Sequence, residues 1–124
     1  MGRLFLILGS VSAFVGVALG AFGAHALKER LGPEMLSIFE TGVRYQMYHA
    51  FGILAVAWAV SQWPQVNAGI SGWLFVAGTI LFSGSLYVIA LTNERWFGAV
   101  TPFGGVLFLA GWLWLAWGVW RLNQ

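Results

Sequence analysis

Residues 45–93, YQMYHAFGILAVAWAVSQWPQVNAGISGWLFVAGTILFSGSLYVIALTN, run on without one Asp, Glu, Lys or Arg. An α-helix rises about 1.5 Å per residue, so about 20 apolar residues cross the roughly 30 Å of bilayer hydrocarbon, and this stretch has room for two crossings. Trp63-Pro64-Gln65-Val66-Asn67 divides it, because proline cannot continue a helix and asparagine favours a turn. Shorter uncharged runs lie on either side, from Leu4 to Leu27 and from Trp96 to Trp120, each with room for one crossing. The chain therefore reads as all-α, an integral membrane four-helix bundle of antiparallel neighbours.

A single transmembrane domain over residues 1–124 is expected, with helices at about 3–26, 47–62, 70–91 and 102–121. Lys28, Glu29 and Arg30 mark one water interface, and Asn93-Glu94-Arg95 marks it again. Pro33 suits the first turn of a helix, with Glu34 near the positive end of its dipole. At about 100° per residue, Ser37, Glu40, Thr41, Arg44 and Tyr48 share an arc of about 100°, and Leu36, Phe39, Val43 and Met47 lie elsewhere. Residues 33–46 are thus expected to form an interfacial amphipathic helix between helices one and two, with a bend at Gly42. Thr101-Pro102 reads as an N-cap followed by a first-turn proline. Trp63, Trp73, Trp112, Trp114, Trp117 and Trp120 form an aromatic belt towards the surface with the second turn and both termini.

Composition agrees. With 60% apolar and 8% charged residues the chain has too little polar surface to cover a water-soluble globule. A net charge of +2 from scattered basic residues makes no nucleic-acid footprint, so no nucleic-acid partner is expected. The absence of cysteine excludes disulfides, thiolate metal sites and thiol catalysis. Arg3, an apolar run and Ala24-His25-Ala26 imitate a secretory signal, but the run is longer than the apolar core of such a signal, and a retained first helix is expected.

Small residues recur at intervals of seven: Gly2, Gly9, Gly16 and Gly23; Ser71, Gly78, Ser85 and Thr92; Gly104, Gly111 and Gly118; and Ala50 with Ala57 on helix two. That spacing keeps a seam facing its neighbour when helices cross at about 20°, and small side chains let backbones approach where lipid supplies no hydrophobic drive. Gly9, Gly16, Gly23, Gly78, Gly104, Gly111 and Gly118 are accordingly expected at helix contacts.

Chemistry-bearing residues are few. His25 and His49 both fall near the first-loop surface in this reading, at a depth that allows a shared metal or haem; two ligands without a third make a poor metal site, and ordinary hydrogen bonding is favoured. Glu40 and Arg44 have the i, i+4 spacing of a helical ion pair. On a solvated face the pair means little, whereas drawn into the bundle it becomes a buried ionic element. Tyr45, Gln46, Tyr48, Tyr87 and Thr92 extend it into a polar cluster, and Ser83, Ser85 and Tyr87 suit hydrogen bonds between helices. No phosphate-binding glycine loop, triad spacing or carboxylate pair points to a conventional enzyme, and no cofactor or metal is implied.

Four motifs in order, Gly20-Ala-Phe-Gly-Ala-His-Ala-Leu27, Phe39-Glu-Thr-Gly-Val-Arg-Tyr-Gln-Met-Tyr-His-Ala50, Ser83-Gly-Ser-Leu-Tyr87 and Gly98-Ala-Val-Thr-Pro-Phe-Gly-Gly105, resemble a domain-of-unknown-function family of small membrane proteins. That family includes bacterial YgdD-like and YwdK-like proteins and a eukaryotic transmembrane relative. The resemblance spans nearly the whole chain and implies a four-helix, multi-pass protein of the bacterial inner membrane, without implying an activity. It makes His25, Glu40, Arg44, Tyr45, His49, Ser85, Tyr87, Thr101 and Pro102 candidate functional or fold-defining residues.

Three functions fit. The first is a non-enzymatic structural or accessory membrane protein, self-associating as a homo-oligomer or joining a larger membrane complex. The second is a conduit or binder for a small polar or lipid-like molecule at the first-loop surface, and the third is a bis-histidine haem or metal protein. Arg3 and Arg121 mark one surface and Lys28, Arg30, Arg44 and Arg95 the other, so the positive-inside rule places both termini outside.

Overall fold

The computed structural model describes residues Met1–Gln124, and every regular element is helical. Helix α1 runs Gly2–Leu27, with a widened π turn at Leu19–Gly23 where the Ala24 N–H reaches back to Leu19 O. Helix α2 spans Pro33–Gln62, α3 Gly69–Thr92 and α4 Thr101–Trp120. Short 3₁₀ turns at Pro64–Val66, Arg95–Ala99 and Arg121–Asn123 follow the last three. Segments Gly2–Leu27, Gly69–Thr92 and Arg95–Asn123 are each long and apolar enough to cross a bilayer. Helix α2 is the more polar member, and it lies between α1 and α3.

Residues 33–46 and 47–62 are one helix rather than an interfacial segment followed by a crossing. The helix runs through Gly42 without interruption. A Cβ there would meet the Tyr87 ring at 2.7 Å and Ser83 O at 3.3 Å, so this glycine serves the close approach of α3 while the backbone ladder continues. Pro33 does occupy the first turn, with Glu34 beside it. Thirty residues make a helix about 45 Å long, longer than the hydrocarbon is thick. The amphipathic stretch is its N-terminal part. Thr101 is likewise not an N-cap by its side chain; it is the first residue of α4, after Val100.

The helices pack in chain order, α1 on α2, α2 on α3 and α3 on α4, without a comparable interface between first and last. On the α1–α2 contact, a Cβ at Gly2 would lie 3.1 Å from Ala57 O, one at Gly9 3.1 Å from Ala50 O and 2.7 Å from Leu54, one at Gly16 against Met47 Sδ, and one at Gly23 3.0 Å from the Phe39 ring. On the α3–α4 contact, a Cβ at Gly78 would meet Phe108 at 2.6 Å, and Gly111 would meet Phe75 at 2.6 Å. Gly104 lies directly against the backbone nitrogen and Cα of Phe82, and Gly118 against Val66. Besides Gly42, other close approaches lie outside the seven-residue series: Gly72 of α3 receives the fully buried Phe5 ring of α1, Gly52 of α2 receives Trp112 and Phe75, and Gly20 of α1 faces Val43.

Asn67 and Asn93 carry the only left-handed backbone conformations, and both sit at turns between crossings, where asparagine tolerates that geometry best.

Neighbours separate the glycines by what a methyl group would cost. Gly104→Ala forces a Cβ into the α3 backbone, which cannot swing aside, and should lower stability by about 1 to 3 kcal/mol. Gly84 has nothing within 4 Å, so Gly84→Ala gains helix propensity without a clash. Thermal unfolding in detergent is expected to show a clear loss for the first and no loss, or a small gain, for the second.

Candidate functional site

Buried polar side chains converge on α2. Gln46 Nε2 donates to Ser12 O of α1 at 3.0 Å, and its Oε1 accepts from the Tyr87 hydroxyl of α3 at 2.6 Å. One turn earlier, the Ser83 hydroxyl donates to Gly42 O at 2.7 Å. One turn later, His49 turns towards α4: its Nδ1 lies 2.8 Å from Tyr45 O and its Nε2 accepts from Trp112 Nε1 at 3.0 Å. Since the indole N–H can only donate, Nε2 is the acceptor and Nδ1 carries the proton. The imidazole stacks on Phe108, with ring centroids 3.4 Å apart and planes 7° apart. Elsewhere, Ser71 of α3 donates to Gly111 O of α4 at 2.7 Å, and Ser85 bonds Thr101 and Phe82 O. Among buried side-chain polar atoms only Thr79 Oγ1 lacks a partner.

This geometry distributes the expected site residues in a different way. Gly9 faces Ala50, which puts His49 level with Gly9, and His25 lies sixteen residues further along α1, about 24 Å along the axis. His49 is therefore deep in the bundle rather than at the first-loop surface, and His25 is exposed. With both His49 nitrogens engaged, no lone pair is left for a metal, and the shared metal or haem reading fails on distance and on coordination chemistry alike. Trp112, which meets His49 at that depth, leaves the aromatic belt; Trp114, donating to Asn67 O at 3.2 Å, and Trp117, under the Arg121 guanidinium at 4.5 Å, stay by the second turn.

Glu40 and Arg44 are both exposed and make no ion pair, so the buried ionic element does not form. They fall on the outer face of α2 with Tyr48, opposite Phe39, Gly42 and Gln46. The one ion pair joins the first turn of α2 to the turn after α3, far apart in the chain: Arg95 Nη1 and Nη2 donate to Glu34 Oε1 and Oε2 at 2.9 and 3.1 Å. Nothing in either local pattern announces it; the shared water interface of the two segments is the only available hint. Tyr87 and Ser85 do bond between helices, and Gln46 is the residue that links three of them. Tyr45 and Tyr48, half exposed, line a groove of about 590 Å³ between α2 and α4, with His49 and Phe108 at its base.

A model of the family described as "protein of unknown function (DUF423)" matches residues 19–105, the stretch that contains the π turn, the α2 hub and the start of α4. The chain belongs to this family. It is 43% identical to the inner membrane protein YgdD of Escherichia coli K12 over 98% of this chain and 93% of the relative. It is 43% identical to the membrane protein YwdK of Bacillus subtilis over 90% and 91%, and 46% identical to a membrane protein of Staphylococcus saprophyticus over 97% and 99%. All three carry the uncharacterised-family name UPF0382. No solved structure matches the chain. Family and apolar helices together make it a multi-pass protein of the bacterial inner membrane.

Removing one partner of the Gln46–Tyr87 bond strands the other in an apolar interior, and removing both does not. Tyr87→Phe and Gln46→Leu are each expected to destabilise, and the double variant to lose less than their sum. Interhelical bonds in membranes couple by about 0.6 to 1.7 kcal/mol, which sets the expected size in a double-mutant cycle followed by thermal unfolding.

The Glu34–Arg95 pair has a pH signature. The Arg95 hydrogen bond, with its charge adding, holds the Glu34 carboxyl below its ordinary value of 4.5. A carboxyl depressed in the folded state stabilises above its unfolded pKa and loses that contribution as pH falls through the folded value. Melting temperature should accordingly decline as pH drops below about 4.5. Glu34→Gln should flatten this decline, and high salt should shrink it because both groups face water.

Proposed function

We propose that this protein is a non-enzymatic accessory component of the inner membrane that works by packing against further helices, in the simplest case those of a second copy. The supporting observation is how its interior polar groups are used. Gln46, His49, Ser71, Ser83 and Ser85 spend their hydrogen bonds on neighbouring helices, and among buried side-chain polar atoms only Thr79 Oγ1 is left without a partner. A second support is the open order of packing: α1 and α4 share no comparable interface with each other and keep broad apolar faces. Packing further helices there needs only the close approach that already joins the four.

The test is native mass spectrometry of the chain released from lipid nanodiscs, with crosslinking in native membranes as a second readout. A dimer or higher homo-oligomer that persists at low protein concentration is the expected result. A chain that is monomeric in both measurements overturns the self-association reading.

A further inference from the structure

The groove between α2 and α4 has features that internal packing does not use. From Pro102 at its outer end to Trp112 at its inner end it follows ten residues of α4, about 15 Å, which is half the hydrocarbon thickness and thus the depth of one leaflet. Its walls are apolar and aromatic, with Phe82, Leu109 and Trp112 among them. Tyr45 and Tyr48 line its outer half, and neither phenol hydroxyl bonds another group of the chain. Directly outward on the same exposed face of α2 come Arg44 and then Glu40, each one helical turn, about 6 Å, beyond the last, and neither ion-paired.

From water inward, this face presents a carboxylate, a guanidinium, a phenol and an apolar groove. A phospholipid bearing a primary amine presents the complementary series: ammonium, phosphate, ester carbonyl and acyl chain. We propose that the groove holds one acyl chain of a zwitterionic, amine-bearing phospholipid from the leaflet on the first-loop side, with Arg44 on its phosphate, Glu40 on its ammonium and Tyr48 on an ester carbonyl. Charge favours this occupant over an anionic lipid. The loops on that side carry Lys28, Arg30, Arg44 and Arg95 against Glu29, Glu34, Glu40 and Glu94, which cancel.

Native mass spectrometry of the protein released from nanodiscs made of equal parts phosphatidylethanolamine, phosphatidylcholine and phosphatidylglycerol tests it, with mass identifying the retained lipid. One phosphatidylethanolamine per chain should be retained about tenfold over the other two, the size of one charge-assisted contact. Glu40→Gln should remove that preference without removing retention, and Arg44→Gln should weaken retention of all three. Leu109→Trp, which fills a groove wall already facing lipid, should abolish retention while the melting temperature stays near the parent value. Equal retention of phosphatidylglycerol, no retained lipid, or retention unchanged in a folded Leu109→Trp variant would each overturn the proposal.

Discussion

Inside hydrocarbon a polar group has no water to fall back on, and the architecture follows from that constraint. The buried polar side chains sit on the two inner helices, Gln46 and His49 on α2 and Ser71, Ser83 and Ser85 on α3, and α2 lies between α1 and α3 with α4 reaching it through Phe108 and Trp112. Gln46 links it to α1 and α3, Ser83 to α3, and His49 to α4. The outer helices can be apolar because the two inner ones carry the polarity. A soluble bundle sorts residues in the opposite sense, with its polar groups outward.

Two kinds of contact hold the bundle, and they share residues. Lipid is as apolar as leucine, so helices gain little by hiding apolar surface and must gain from close approach and from hydrogen bonds. Glycine provides both. At Gly42 and Gly111 the missing side chain admits a neighbouring ring and also uncovers a backbone oxygen, which Ser83 and Ser71 then reach. Each serine thus satisfies its hydroxyl by using an acceptor already committed to the helix ladder but with a lone pair to spare. Adding a methyl group at such a glycine would disturb the packing and the hydrogen bond together.

Charge is confined to the two surfaces, and unequally. All four carboxylates lie on the side of the first and third loops, where Glu34 and Arg95 join the start of α2 to the turn before α4. This clasp couples two segments that touch the same membrane surface at distant points of the chain. The other surface carries Arg3 and Arg121 with the indoles around the second turn, so it is anchored by aromatic groups and guanidinium stacking.

Run lengths without charge, proline and asparagine at the turns, and seven-residue recurrence of small residues determined the four helices, their order and several of the faces on which they meet. These are local or periodic properties, written along the chain. What the sequence does not contain is depth and partner. Helical periodicity puts Glu40 and Arg44 on one face but cannot say whether lipid or a neighbouring helix covers it, and the tertiary structure turned that face outward because Gly42 and Gln46 opposite were needed against α3 and α1. Beginning a crossing at Met47, after a bend at Gly42, leaves His49 near the surface. With Tyr87 and Ser83 packed on that glycine, the helix runs through and carries His49 into the bundle interior beside Trp112. Glu34 with Arg95 and His49 with Trp112 pair distant parts of the chain, and only the fold settled these partners, since they depend on how far each helix extends before it turns.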